Sequence, residues 1–348
     1  MNPYILTILL LGLGLGTTIT FASSHWLLAW MGLEINTLAI IPLMAQPHHP
    51  RAVEATTKYF LAQATAAAML LFAAASNAWL TGQWDIQLMS HPLPVTMATI
   101  ALALKIGLAP VHSWMPEVLQ GLDYTTGLIM STWQKLAPFA LLLQLYPANS
   151  SLLLFLGLTS TLVGGWGGLN QTQLRKILAY SSIAHLGWMA LVLQFSPSLT
   201  LLTLLLYFVM TFSMFILFKF SKATSINGLS ISWSKAPAMT ALAPLLLLSL
   251  GGLPPLSGFM PKWLILQELT KQDLGAIATV AALSALLSLY FYLRLSYAAA
   301  LTVSPNNTLG STPWRLKSLQ TTLPLAISAL LTLLLLPLTP GIMALMTL

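Results

Sequence analysis

The chain has 348 residues, 57% hydrophobic and only 6% charged, with a net charge of +7 and a mean hydropathy of +0.83. A soluble domain carries about 25% charged residues, so a water-facing surface is excluded. Cysteine is absent, which excludes disulfides, thiolate zinc sites, covalent haem attachment and cysteine-held iron–sulfur clusters within this chain.

Uncharged runs such as PYILTILLLGLGLGTTITF and LPLAISALLTLLLLPLTPGIMALM match the roughly 20 residues that a bilayer crossing needs. No segments of about 10 residues with alternating polarity suggest a barrel. Hydropathy and punctuation predict an all-α polytopic membrane protein of eleven spans, near 3–22, 25–45, 57–80, 93–120, 124–145, 151–169, 174–194, 198–220, 237–269, 275–300 and 323–346. The first lacks a basic n-region and a small-residue cleavage site, so a retained helix is expected. No amphipathic Arg/Ser-rich presequence precedes it, and import by that route is not expected. Most connections are short, so 1–348 reads as one membrane domain.

Let face A be the side that carries the 46–56 loop. Alternation then puts ten of the fourteen basic residues on or beside face A: Arg51, Lys58, Arg175, Lys176, Lys219, Lys222, Lys235, Arg294, Arg315 and Lys317. Face B receives Lys271, with Asp85, Glu268 and Asp273 nearby. This positive-inside asymmetry puts face A and the N-terminus on the cytoplasmic or matrix side. The basic residues are a topology device, and no nucleic-acid partner is expected.

Two segments 145 residues apart, GLAPVHSWMP at 107–116 and GLPPLSGFMP at 252–261, agree at five of ten positions, with Trp114 opposite Phe259. Span 4 runs from B to A and span 9 from A to B, so two five-span units, 1–145 and 151–300, are expected to be inverted repeats. The span at 323–346 stands outside them. Pro110 and Pro116 break the first matching helix; Pro254, Pro255 and Pro261 break the second. Proline removes a helix donor and clashes one turn back, and such breaks survive in a bilayer only where protein or a polar cavity surrounds them. Paired broken helices in inverted repeats are the signature of a transporter site at the midplane.

Four ionisable residues fall within spans: Glu34, Lys105, Lys135 and Lys262. Glu34 comes eight residues after Trp26, roughly 12 Å deep at 1.5 Å per residue, and Lys105 and Lys135 reach similar depths. A charge at the centre of a spanning helix costs about 2.5–3.5 kcal/mol on insertion scales. Burial disfavours the charged forms and an opposite charge restores them. Two readings stand: a static Glu34–lysine pair that locks packing, or a proton or ion path, which the excess of lysines beside broken helices favours. His112, just past Pro110, either caps freed backbone groups or relays protons. His185, among Tyr180, Ser181 and Ser182, either joins a hydrogen-bonded chain or has its nitrogens satisfied there. His48 and His49 read as a solvated loop.

Other motifs fail. GLGLG at 12–16 has no flanking strand for a dinucleotide turn, and close helix packing accounts for it and for GGWGG at 164–168. Sequons at Asn149, Asn170 and Asn306 fall on opposite faces and are not all usable. No phosphate loop, nucleophile–base motif or metal spacing is present.

PVHSWMPEVLQG with its upstream lysine, YSSIAHLGW and GGLPPLSGFMPKW resemble the antiporter-like subunits of respiratory complex I and the related cation/proton antiporters. The resemblance covers essentially the whole chain. It implies an inverted pair of five-helix units, each with one discontinuous helix, and a hydrophilic axis that moves protons. Glu34 and Lys105 would be its ion pair, Lys135 the central group, Lys262 the exit-side group, and His112 and His185 relay candidates. Flavin, iron–sulfur clusters and quinone would belong to other subunits, leaving no cofactor or metal here. The implied partners are other membrane-arm subunits of complex I in an obligate hetero-oligomer, with inner-membrane lipids. The implied place is the mitochondrial inner membrane, N-terminus on the matrix side and C-terminus on the intermembrane-space side. Bacterial relatives have fourteen helices, so eleven implies loss of the first three. The alternatives are a stand-alone or Mrp-type monovalent cation/proton antiporter, and a scaffold whose polar axis is a relic.

Overall fold

The computed structural model describes residues 2–145, 150–234, 236–301 and 322–347. Asn149, Lys235, Asn306, Arg315 and Lys317 lie outside the described residues. The chain forms two compact units, Met1–Ser160 and Thr161–Leu348. In the first are α1 (Pro3–Ala22), α2 (Trp26–Ala45), α3 (Pro50–Thr81), α4 (Pro92–Ile106), α5 (Trp114–Gly121), α6 (Tyr124–Ser131), α7 (Trp133–Gln144) and the start of α8 (Ser150–Gly168). In the second are α9 (Leu174–Val192), α10 (Pro197–Ser221), α11 (Ile226–Ile231), α12 (Pro237–Gly251), α13 (Phe259–Lys271), α14 (Gly275–Ala300), α15 (Leu323–Leu334) and α16 (Thr339–Thr347). Extended pairing among the described residues is limited to the isolated bridges His25–Asp85 and Gln173–Ser225.

Proline opens α1, α3, α4, α10 and α12, where its missing N–H would be unpaired in any case. Side chains just outside the helices take up some of the remaining orphan donors. Asn2 accepts the Tyr4 N–H at 3.2 Å, His25 Nδ1 the Leu27 N–H at 3.1 Å, and His49 Nδ1 the Arg51 N–H at 3.2 Å. His49 is therefore a helix cap and not merely a solvated loop residue.

In the first unit α1 lies along α2, α2 on α3, α3 against α4 and α5, and α7 against α4 and α1. In the second, α10 touches α9, α12, α13, α15 and α16, and α14 packs on α12. Glycine permits the closest approaches. A Cβ on Gly16 would overlap the Asn36 carboxamide and come 2.8 Å from the Gly32 carbonyl oxygen. One on Gly164 would come 2.6 Å from the Ala184 nitrogen. Both glycine strings thus serve helix packing, although Gly14 has nothing within 4 Å. The 32-residue α3 carries at its start an ion network in which Lys58 meets Glu54 at 2.6 Å and Glu117 of α5 at 2.7 Å.

Among the described residues, six helices (α1, α2, α3, α8, α10 and α14) are long and apolar enough to cross a bilayer; α15 with residues 336–346, bent by 63°, makes a seventh. The shortfall against eleven has a physical cause. Predicted spans 4, 5 and 9 are each two half-helices, and α9 carries Arg175, Lys176 and a polar middle.

The two proline-rich breaks share one backbone design. α4 ends on Gly107 (φ 88°), and the Gly107 and Leu108 N–H groups both donate to the Ala103 carbonyl at 2.9 Å. α12 ends on Gly252 (φ 80°), and the Gly252 and Leu253 N–H groups donate to the Leu248 carbonyl at 3.0 and 3.3 Å. Such left-handed caps favour glycine. Pro237, Gly252 and Phe259 stand 145 residues after Pro92, Gly107 and Trp114 at helix start, cap and restart.

Two spans expected to be continuous are not. Span 5 is interrupted at Thr132, whose hydroxyl donates to the Leu128 carbonyl at 2.7 Å. The Lys135 N–H then reaches only to the Thr132 carbonyl, at 3.2 Å, and Pro138 offers no N–H to the Gln134 carbonyl. Span 11 turns at Leu335, two residues before Pro337, a usual cause of a kink.

Candidate functional site

In the first unit α2 supplies Glu34, α4 supplies Lys105 in its last turn, and α7 supplies Lys135 in its first. Lys105 is 5% exposed and Lys135 2%, far below what lysines ordinarily show. Both line a cavity of about 10 Å³, with Asn36, Tyr59, Gln63 and Gln134 in its wall. The Lys105 Nζ lies 3.8 Å from Glu34 Oε1, an ion pair beyond hydrogen-bond reach. At that spacing and an effective dielectric near 20 the attraction is about 4 kcal/mol, which offsets part of the roughly 2.5–3.5 kcal/mol that each of the two charges costs at the centre of a spanning helix. Thr37 donates to the other Glu34 oxygen at 3.3 Å.

Neutral donors serve the carbonyls around this break. Trp114 Nε1 donates to the Leu104 oxygen at 3.0 Å, Gln63 Nε2 to that of Lys105 at 3.3 Å, and Thr159 to that of Ala109 at 3.1 Å. His112 is half-buried, its Nδ1 at 3.2 Å from the Pro110 oxygen. Pro110 lies in the turn between the half-helices, and Pro116 in the first turn of α5.

The second unit is built differently. Pro254 and Pro255 lie between α12 and α13, and Pro261 in the first turn of α13. Lys262 folds back across the break, its Nζ donating to the Gly251 carbonyl at 2.7 Å. The His185 ring sits 5.6 Å from that of Tyr207, and Tyr207 hydrogen-bonds Ser182. The Ser181 and Ser182 hydroxyls donate to the Leu178 and Ala179 carbonyls at 2.7 Å, leaving their lone pairs to accept. The Tyr292 hydroxyl lies against Ser181 without a well-formed hydrogen bond.

Of the residues singled out from sequence, Glu34, Lys105 and Lys135 come together. His112 bonds within its own turn, Lys262 caps its own helix break, and His185 packs on Tyr207. Sequence reading missed Asn36, Gln63, Gln134 and Tyr207. The amides did carry a signal, as polar side chains in otherwise oily runs. Among the described residues no three His, Asp or Glu side chains gather as metal ligands.

Residues 23–288 match the family model described as NADH:quinone oxidoreductase/Mrp antiporter, TM, and residues 289–343 that of the NADH dehydrogenase subunit 2 C-terminus. The NADH-ubiquinone oxidoreductase chain 2 of Tetraodon nigroviridis is 72% identical over 345 residues, 99% of each chain. The chain belongs to the NADH-ubiquinone oxidoreductase chain 2 family. A chain of respiratory complex I from Thermus thermophilus, solved with bound aureothin, is similar at a TM-score of 0.83 and 30% identity, over 96% of this chain and 78% of that one. The Mrp complex of Dietzia sp. DQ12-45-1b, at 18% identity and a TM-score of 0.77 over 97% of this chain and 74% of its own, shares the fold alone. Chain 2 membership decides between the two transport readings. The protein is an antiporter-like membrane subunit of complex I, and the Mrp antiporters are distant relatives.

Proposed function

We propose that this chain translocates protons within the membrane arm of complex I. The observation that carries this is that Lys105, paired with Glu34 at 3.8 Å, lines one small cavity together with Lys135. A protonated Lys105 is balanced by Glu34. When Glu34 withdraws or is itself protonated, Lys105 loses its counter-charge and passes its proton across the cavity to Lys135. Lys262 is the exit-side group, with His112 and His185 as relays. Flavin, iron–sulfur clusters and quinone belong to other subunits, and this chain only moves protons while redox chemistry proceeds elsewhere.

Ten of the eleven spans form two inverted five-span repeats, with the span at 323–346 outside them, a reading supported by the matching glycine caps and restarts 145 residues apart. The chain sits in the mitochondrial inner membrane as part of an obligate hetero-oligomer with other membrane-arm subunits and lipids. Its N-terminus faces the matrix and its C-terminus the intermembrane space, following the basic face A. The test is protons moved per NADH oxidised in reconstituted vesicles for a Lys105→Ala complex checked for intact assembly. A lower ratio, or blocked turnover in an intact complex, is expected. An unchanged ratio and rate returns Lys105 to a static ion pair.

A further inference from the structure

We propose that Asn36 is a positioning residue of this proton path, its carboxamide holding one ordered water between Lys105 and Lys135. The inference deepens the proton-path reading and rests on it. Buried polar atoms are ordinarily hydrogen-bonded. Four that lack any hydrogen-bond partner among the described residues belong to Lys105 and to two residues of α2: Lys105 Nζ, Glu34 Oε1, and both Oδ1 and Nδ2 of Asn36. Asn36 is 2% exposed. Asn36, Lys105 and Lys135 line the same cavity of about 10 Å³, close to the room one water requires when polar partners surround it.

Asn36 is held in place from both ends. Its main-chain carbonyl accepts from Gln134 Nε2 at 3.2 Å. Gly16 of α1 lies over its side chain so closely that any Cβ there would overlap the carboxamide. An amide suits the task chemically, because it both donates and accepts and carries no charge to trap the proton. With Lys105 protonated, its ammonium donates to the water oxygen and the water donates to Asn36 Oδ1. In the transfer, a Lys105 N–H bond breaks as an O–H bond forms on the water. The water then gives a different proton to neutral Lys135, so one proton crosses and the water is restored. Afterwards Asn36 Nδ2 donates to the water while it is turned the other way.

Asn36→Ala and Asn36→Ser leave similar space and differ only by a hydroxyl. In the assembled complex in vesicles, the alanine variant should lower proton-coupled turnover at least threefold, and serine should restore it to within twofold of the unaltered enzyme. Equal losses in both, or none with alanine, overturns the proposal, because packing alone does not distinguish the two. Gly16→Ala should mimic Asn36→Ala by pushing the carboxamide aside. Gly12→Ala, whose Cβ would meet Ala39 at an ordinary 3.4 Å, should leave turnover unchanged. Should these variants fail to assemble, a high-resolution map of the unaltered complex decides. A water peak within about 3.2 Å of both the Asn36 carboxamide and Lys105 Nζ is expected, and its absence overturns the proposal. Normal pumping in Lys105→Ala would remove the proton path itself while leaving the water to be seen or not.

Discussion

The two glycine-capped breaks share a backbone and differ in what their lysines do. At the first, Trp114, Gln63 and Thr159 serve the carbonyls around the break. Lys105 is thereby left to face Glu34 at 3.8 Å. At the second, Lys262 is itself the donor to the Gly251 carbonyl. Position 262 corresponds, 145 residues on, to Glu117, and position 105 to Leu250, so the repeat fixes the break and not the charge. One lysine is balanced by a carboxylate, the other by the partial negative end of a helix. Equivalent backbones can thus hold a cation by two unrelated means.

The largest effect should come from removing the cap. Lys262→Met deletes a charge-assisted hydrogen bond worth about 1.5–3 kcal/mol and, on the proposed path, the exit-side group as well, so both the melting temperature of the complex and its pumping should fall. Lys262→Gln keeps a donor without the charge; it should recover most of the stability and little of the pumping. A Lys262→Met complex that melts at the unaltered temperature breaks the comparison, because the lysine would then not be a cap.

Alanine at either glycine cap should come next. Gly252→Ala and Gly107→Ala each force a left-handed residue at about 1–2 kcal/mol. The Cβ at 252 would stand 3.0 Å from Lys262 Nζ, whereas that at 107 would meet the pliable Met115 sulfur at 3.1 Å. Both should cost stability, and only Gly252→Ala should also slow proton transfer. Similar proton-transfer rates in the two would show that the Lys262 position is not critical.

The smallest effect is expected for Gln63→Leu. It removes one neutral hydrogen bond to the Lys105 carbonyl, about 1 kcal/mol, without touching the ammonium. Thermal melting of the complex should register it. A loss of pumping larger than that of stability would mean that Gln63 also acts through the cavity.

The breaks were legible because GLAPVHSWMP and GLPPLSGFMP repeat the glycine that must turn left-handed and the prolines that stop the helix. Counting residues inward from the span ends put Glu34, Lys105 and Lys135 at similar depths, and the family resemblance, not the count, implied which lysine Glu34 meets. The interruption at Thr132 was not legible. No proline or glycine stands at the break: Pro138 lies six residues on, inside α7, and the carbonyl it leaves without a donor is that of Gln134. The return of Lys262 to Gly251 was equally hidden, because it depends on a side chain reaching across a turn and not on spacing along a helix. Tyr207 gave no sign either, since a tyrosine in an oily run also suits a lipid boundary.

The 32 residues of α3 have a consequence for how the first unit meets the bilayer. Such a helix is about 48 Å long, well beyond a hydrocarbon layer of roughly 30 Å. Excess length is ordinarily absorbed by tilting or by thickening the lipid. Here the first turns carry Arg51, Glu54 and Lys58, and Lys58 is tied to Glu117, which forms a charged collar that resists being drawn into oil. With that end pinned, the overhang is fixed, and so is the level at which Gln63, five residues further along α3, meets the Lys105 carbonyl. Membrane thickness thereby becomes a variable felt at the break: a thinner or thicker bilayer must tilt α3 about its collar and pull on that contact.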